Sequence, residues 1–201
     1  MTWQSARAAL TTVGVLTLVV LAGYWIARSP EPSWSLLALV VVVGGPVGWF
    51  WWKARRDDRA RREAAAARPG RRTHAVWADE HLESALADLG ATAGGLPGGT
   101  RLTLAWSLSG VELWRGRVVL TTLPWTQVAT IGRTIGRAAS AGNPAVALVT
   151  TEAVRLVLVP ARRPDGGMLP ARVAQVDALA VELEESRNTA ADASRIPPKL
   201  V

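Results

Sequence analysis

Ala145–Ala161 reads AVALVTTEAVRLVLVPA, and its reading decides the fold. Ala145–Thr150 and Val154–Val159 are short runs of β-branched and aliphatic residues, joined by the polar pair Thr151-Glu152. Such runs across so short a connection read as a β-hairpin. Gly142-Asn143-Pro144 breaks the chain before the hairpin, and Pro160–Gly167 forms a polar loop after it. The period then changes. Over Pro170–Arg187, Val173, Val176, Ala180 and Leu183 share one stripe of an amphipathic helix. Beyond it, residues 188–201 are polar and are expected to be disordered.

Moving toward the N-terminus, Arg101–Trp106 and Val111–Trp114 alternate as strands around a turn at Ser107–Gly110. Val118–Thr121 and Trp125–Ile131 read as two more strands. Trp106, Trp114 and Trp125 occupy strand positions and are expected in the core. Residues 73–97 hold a lead-in at Thr73–Trp77, a short helix and a glycine-rich linker, GATAGGLPGG (90–99). Asp79 is placed as the N-cap of that helix, Leu82, Ala85, Leu86 and Leu89 as its buried face, and Gly90 as its stop.

Short antiparallel strands followed by one terminal helix make a split barrel capped by a helix. In GVELWRG (110–116), LPWTQVATI (123–131), AVALVTTEAVRLVLVPA (145–161) and the closing helix, the chain resembles the bacterial pleckstrin-homology-like domains found attached to membrane spans. The resemblance covers residues 98–187. It implies a non-catalytic adaptor domain that binds protein segments or lipid headgroups. Lipid-binding members of the wider family place basic residues in the first hairpin loop. Here that loop, Ser107–Gly110, has none, so phosphoinositide binding is not expected.

The N-terminal quarter reads differently. Ala8–Ala27 and Trp34–Trp52 are uncharged runs, and about 20 helical residues span the roughly 30 Å of a bilayer core. Tyr24, Trp25 and Trp34 mark one end of the pair, and Trp49, Phe50, Trp51 and Trp52 the other, as in an aromatic belt. The expected fold class is therefore a two-helix transmembrane hairpin (1–52, spans 8–27 and 34–52) plus an α+β cytoplasmic domain, the pleckstrin-homology-like antiparallel split barrel. Residues 53–72 read as a basic juxtamembrane helix that Pro69-Gly70 stops.

The net charge of +7 is concentrated there: in residues 53–72 nine basic side chains face three acidic ones, whereas residues 73–201 carry twelve of each. Lys53, Arg55, Arg56, Arg59, Arg61 and Arg62 are thus expected to meet anionic lipid at the inner leaflet. By the positive-inside rule both termini lie in the cytoplasm, giving a multi-pass protein of a bacterial inner membrane. A localised basic block of this kind does not call for nucleic acid.

Little chemistry is encoded. With no cysteine there is no disulfide and no thiol catalysis. His74 and His81 are seven residues apart, which fits no zinc-helix spacing, and the phosphate loop G-x-x-x-x-G-K-[ST] is absent. Neither metal nor cofactor is expected, and no enzyme. Arg133 and Arg137 in GRTIGR (132–137), with Arg162 and Arg163, are the candidate anion contacts, although a turn after a strand is the favoured reading of GRTIGR and a solvated loop that of Arg162-Arg163. Two functions remain: a module that grips a protein partner, as an accessory subunit of a membrane complex, or a sensor of lipid or small anions through the arginine loops. The partner's identity and the oligomeric state are not encoded legibly.

Overall fold

The computed structural model describes residues 70–195 apart from 92, 93, 139 and 140, together with scattered positions between 24 and 66. The chain divides into two compact units, 1–56 and 57–201. In the second, the described residues from Arg72 on follow in the order β1 (Arg72–Ala78), α1 (Leu82–Asp88), β2 (Arg101–Ser107), β3 (Gly110–Arg115), β4 (Val118–Pro124), a 3-10 turn (Trp125–Gln127), β5 (Val128–Ala138), β6 (Ala141–Thr150), β7 (Arg155–Arg163), β8 (Gly166–Pro170) and α2 (Val173–Arg195). The described residues between 55 and 66 are helical as well.

All pairings are antiparallel. The strands run in the order β4-β3-β2-β1-β7-β6-β5, with β8 added to β7. β4 and β5 are therefore edges, and the curved sheet does not close. Its inner face carries Leu102, Leu104 and Trp106 from β2, Val111 and Leu113 from β3, Val146 and Leu148 from β6, and Leu156 and Leu158 from β7. Val176, Leu179 and Leu183 of α2 pack into that same core. Each is at most 3% exposed, so the helix is what keeps water off the concave side.

Turns hold the register. Gly110 ends the two-residue loop between β2 and β3 at φ +147°, and a Cβ there would collide with the Leu123 carbonyl oxygen. At Gly136, β5 passes so close to its neighbours that a Cβ would lie 2.9 Å from Val157 Cγ1 and 3.0 Å from Val159 Cγ2. Any side chain at that position would hold β5 away from the sheet.

Several expectations change. Among the described residues no helix is long and apolar enough to cross a membrane. α1 has seven residues. α2 has 23 but carries Asp177, Glu182, Glu184, Glu185 and Arg187, a burden that excludes it from hydrocarbon. The expected fold class, with its transmembrane hairpin, is corrected on this ground to a mostly antiparallel sheet with a C-terminal helix, and the multi-pass inner-membrane placement is corrected with it. The spans at 8–27 and 34–52 lie outside the described residues, save Tyr24, Gly44, Gly45, Gly48, Trp49 and Trp52.

Thr73–Trp77 is part of β1, between β2 and β7, and not a lead-in to a helix. The segment 90–99, read as a flexible linker, is pinned where it is described. The Glu83 carboxylate accepts the Gly95 and Leu96 N–H groups at 2.9 and 3.1 Å, and Leu96 is buried. α2 continues to Arg195, well past the expected start of the disordered tail at 188. The three strand tryptophans, Trp106, Trp114 and Trp125, are buried as expected.

Truncating Leu183 to Ala should cost about 2–5 kcal/mol, the usual range for a fully buried leucine. Chemical denaturation measures this. A loss below 1 kcal/mol would mean that α2 does not seal the core.

Candidate functional site

β5 is an edge strand of 11 residues, and its free side offers the best candidate site. Asp79, 5% exposed, accepts the His81 N–H at 3.0 Å and the Arg137 N–H at 2.5 Å. The Glu80 N–H in turn donates to the Arg137 carbonyl at 3.1 Å. Arg137 therefore turns its backbone away from β6. Backbone direction alternates along an antiparallel strand. The register from Ile131 to Ala138 is regular, so Ile131, Arg133 and Ile135 turn the same way. Their N–H and C=O groups have no partner among the described residues.

Both ends of this open edge are capped. Asp79 and Glu80 close the Arg137 end. At the other, Arg187 of α2 donates from Nη1 to the Ala129 carbonyl at 2.6 Å and to that of Val128 at 3.4 Å. Between the caps there is room for a strand of about five residues.

α2 runs alongside this open edge. Arg187 meets Ala129, while Asp177 meets Arg133 (Nη1–Oδ2 2.9 Å). Ten helical residues (about 15 Å) thus match four strand residues (about 14 Å), and the helix runs antiparallel to β5. Val173, one turn before Asp177, comes level with Ile135. Val181 lies on the same flank, one turn after Asp177. Ile135 is 77% exposed, Val181 57% and Val173 48%, so apolar side chains line an otherwise polar surface.

The charges along this edge are matched. Arg133 pairs with Asp177, Arg137 with Glu80 (3.3 Å) and Arg187 with Glu184. Arg162 and Arg163 are exposed at the end of β7, where the Arg162 carbonyl accepts from Gln175 Nε2 at 3.1 Å. Among the described residues no shared partner draws Arg133, Arg137, Arg162 and Arg163 into one anion patch. Sequence reading took GRTIGR for a turn or an anion contact, whereas it is the middle of β5. Its two glycines obscured the strand, and the alternation of Ile131, Arg133, Ile135 and Arg137 was the available signal.

The basic block is similarly dispersed. Lys53 lies outside the described residues, and Arg55, Arg56, Arg59 and Arg62 are exposed. In the first unit Arg56 sits 5.5 Å from the Trp52 ring centroid. Arg61 is 8% exposed and pairs with Asp58 at 3.3 Å. Glu63, from the same segment, receives Arg117 Nε of the β3–β4 turn at 2.8 Å. This stretch therefore spends part of its charge on the domain itself.

Among the described residues no group of three or more His, Cys, Asp or Glu could hold a metal. His81 is exposed. His74, half-buried on β1, has Nε2 3.0 Å from the Ala161 carbonyl. Its pKa is held below the ordinary 6.5, mainly by burial. The Ala161 carbonyl and Glu182 pull it upward, and Arg61 adds to the lowering.

No protein-family model matches the chain, and no curated protein aligns with it significantly.

His74 makes stability depend on pH. Its folded-state pKa is depressed, so the unfolded chain takes up the proton more readily as pH falls through about 6.5. Stability should be full above that value, fall below it, and level off once the folded state is protonated too. Gln at this position can still donate to Ala161 without titrating. Melting temperatures at about pH 7.5 and about pH 5 should fall further for the wild type than for His74→Gln. Equal losses would show that His74 is not responsible.

Proposed function

We propose that this protein is a non-catalytic interaction module that binds an extended segment of a protein partner by adding it as a strand to β5. The single observation that carries the reading is the run of outward-facing, unpartnered backbone groups at Ile131, Arg133 and Ile135, bounded by a cap at either end. A long, unprotected edge is normally a hazard that proteins blunt or cover. Here the ends are blunted and the middle is left open beside exposed apolar side chains, as strand addition requires.

Main-chain hydrogen bonds would provide affinity. Ile135, Val173 and Val181 would select apolar side chains at alternate positions of the partner segment. Because Arg133, Arg137 and Arg187 are each matched by a carboxylate, the edge favours a neutral segment over an acidic peptide or an anionic lipid. The antiparallel strands and terminal helix also support the resemblance to pleckstrin-homology-like adaptor domains.

Replacing Ile135 by Pro tests the reading. Its N–H points away from β6, so proline removes no bond of the fold, and edge strands tolerate it. Peptides selected on the wild-type chain from a random displayed library should perturb the amides of Ile131–Ile135 in NMR spectra. Ile135→Pro should weaken them about tenfold or more, the loss of one or two hydrogen bonds, with little change in melting temperature. Selected peptides that bind Ile135→Pro equally well, or that leave these amides unmoved, would overturn the proposal.

A further inference from the structure

The apolar residues along the β5 edge are arranged symmetrically about one ion pair. Ile131 and Ile135 lie two positions either side of Arg133 on β5, and Val173 and Val181 lie four positions either side of Asp177 on α2. Arg133 and Asp177 are bonded to each other, Nη1 to Oδ2 at 2.9 Å. Two strand residues rise about 6.7 Å and four helical residues about 6 Å, so the two spacings match. Because α2 runs antiparallel to β5, Val173 stands level with Ile135 and Val181 level with Ile131. A two-fold axis through the Arg133–Asp177 pair, perpendicular to the sheet, therefore exchanges Ile131 with Ile135 and Val173 with Val181. Contacts between two identical chains demand this property, since one patch must serve as both surfaces.

The backbone has the same symmetry. Its outward-facing groups belong to Ile131, Arg133 and Ile135. A second β5 laid antiparallel, with Arg133 opposite Arg133, sets each Ile131 opposite the partner's Ile135. Three residues on each copy, with one N–H and one C=O apiece, then complete about six hydrogen bonds. The caps select this register. A shift of two positions would bring Ile135 opposite the partner's Ala129, or Ile131 opposite the partner's Arg137. The Ala129 carbonyl is already spent on Arg187, and the Arg137 backbone on Asp79 and Glu80. Charge fits as well. Two arginines directly opposite would repel, but each arrives with its own Asp177, so the axis gathers two cations and two carboxylates. At either end the Arg187–Glu184 pair of one copy comes opposite the Arg137–Glu80 pair of the other.

We infer that the strand added to β5 is β5 of a second copy, an inference that rests on the strand-addition reading and names its partner. The product is a two-fold dimer with one antiparallel sheet running through both molecules. Pairing covers both exposed edges at once and closes after two copies, so it removes the hazard of an open edge without building a fibre. The contact is short, about five strand residues and two valines from each copy, so the dimer is of the weaker, concentration-dependent kind.

The chain has no cysteine, so introduced single cysteines report the register. In the dimer, residues 131 and 135 of opposite copies have Cα atoms about 5.5 Å apart, within disulfide reach, whereas two copies of residue 131 are about 14 Å apart. Full-length Ile131→Cys and Ile135→Cys chains, mixed and mildly oxidised, should form at least about tenfold more cross-linked dimer than either alone. Arg133→Cys, on the axis, should cross-link with itself. In sedimentation the wild-type chain should pass from monomer to dimer as its concentration rises. Ile135→Pro should weaken that association about tenfold or more, because each dimer loses two N–H donors. Equal cross-linking by the mixture and by Ile131→Cys alone, or a chain that stays monomeric at every concentration, would overturn the dimer. Selected peptides that still move the Ile131–Ile135 amides would then leave strand addition standing with another partner, whereas peptides that leave them unmoved would remove both.

Discussion

The packing of α2 into the open side of the sheet is the contact on which the rest depends. Antiparallel pairing runs from β4 through β1 to β5 and stops there, leaving a curved sheet whose apolar concave face would meet water. Val176, Leu179 and Leu183 supply the missing wall. A helix can do this with a stripe of side chains, whereas another strand would have to pair with β4 or β5. Because a helix closes the core, the edge of β5 is left unpaired, and because that helix is broader than its buried stripe, one of its flanks runs beside that edge and the other borders a cleft.

Much of the sheet was legible because its strands follow simple rules. β2, β3, β6 and β7 are short runs of aliphatic residues between turn-forming residues, and the stripe of α2 is regular. β1 was hidden for a physical reason. Arg72, His74, Val76 and Ala78 alternate with Thr73, Ala75 and Trp77, and Ala75 is as deeply buried as Val76. A strand with both faces covered loses the polar-apolar contrast that periodicity detects. β8, Gly166–Pro170, is too short and too rich in glycine to have a period. The linker at 90–99 was misread because its order comes from partners outside it, the Glu83 carboxylate, the Arg115 guanidinium and the Ala78 carbonyl, which composition cannot reveal.

The candidate site was legible in its residues and not in their arrangement. Arg133 and Arg137 were singled out as charges, yet their significance is that they are neutralised. Asp177 and Glu80, which do this, lie 44 and 57 positions away in sequence. The same holds for Glu112, a buried carboxylate on the convex face of the sheet. Arg71 meets it at 2.6 Å and the Trp114 indole donates to it at 3.0 Å. A charge at a strand position reads locally as a solvent-facing residue. Only the fold shows that this one is 3% exposed and held by partners.

The two flanks of α2 differ in kind, and the difference follows from what each faces. Toward β5 the helix looks along a strand edge, which presents donors and acceptors alternately and so suits another backbone. Toward β1 and β2 it looks at the ends of strands, where side chains predominate. There its own Ser186 and Thr189 have turned their hydrogens back onto the preceding turn, a habit of hydroxyls within helices that leaves acceptors outermost. Thr189 bonds the Glu185 carbonyl across one turn, and Ser186 that of Glu182, so both acceptors are set by helix geometry and need no outside support. Toward β5 the surface is thus characterised by main-chain direction and apolar side chains, and toward β1 and β2 by hydroxyl lone pairs. One helix placed to close a core therefore leaves two flanks of different chemical character.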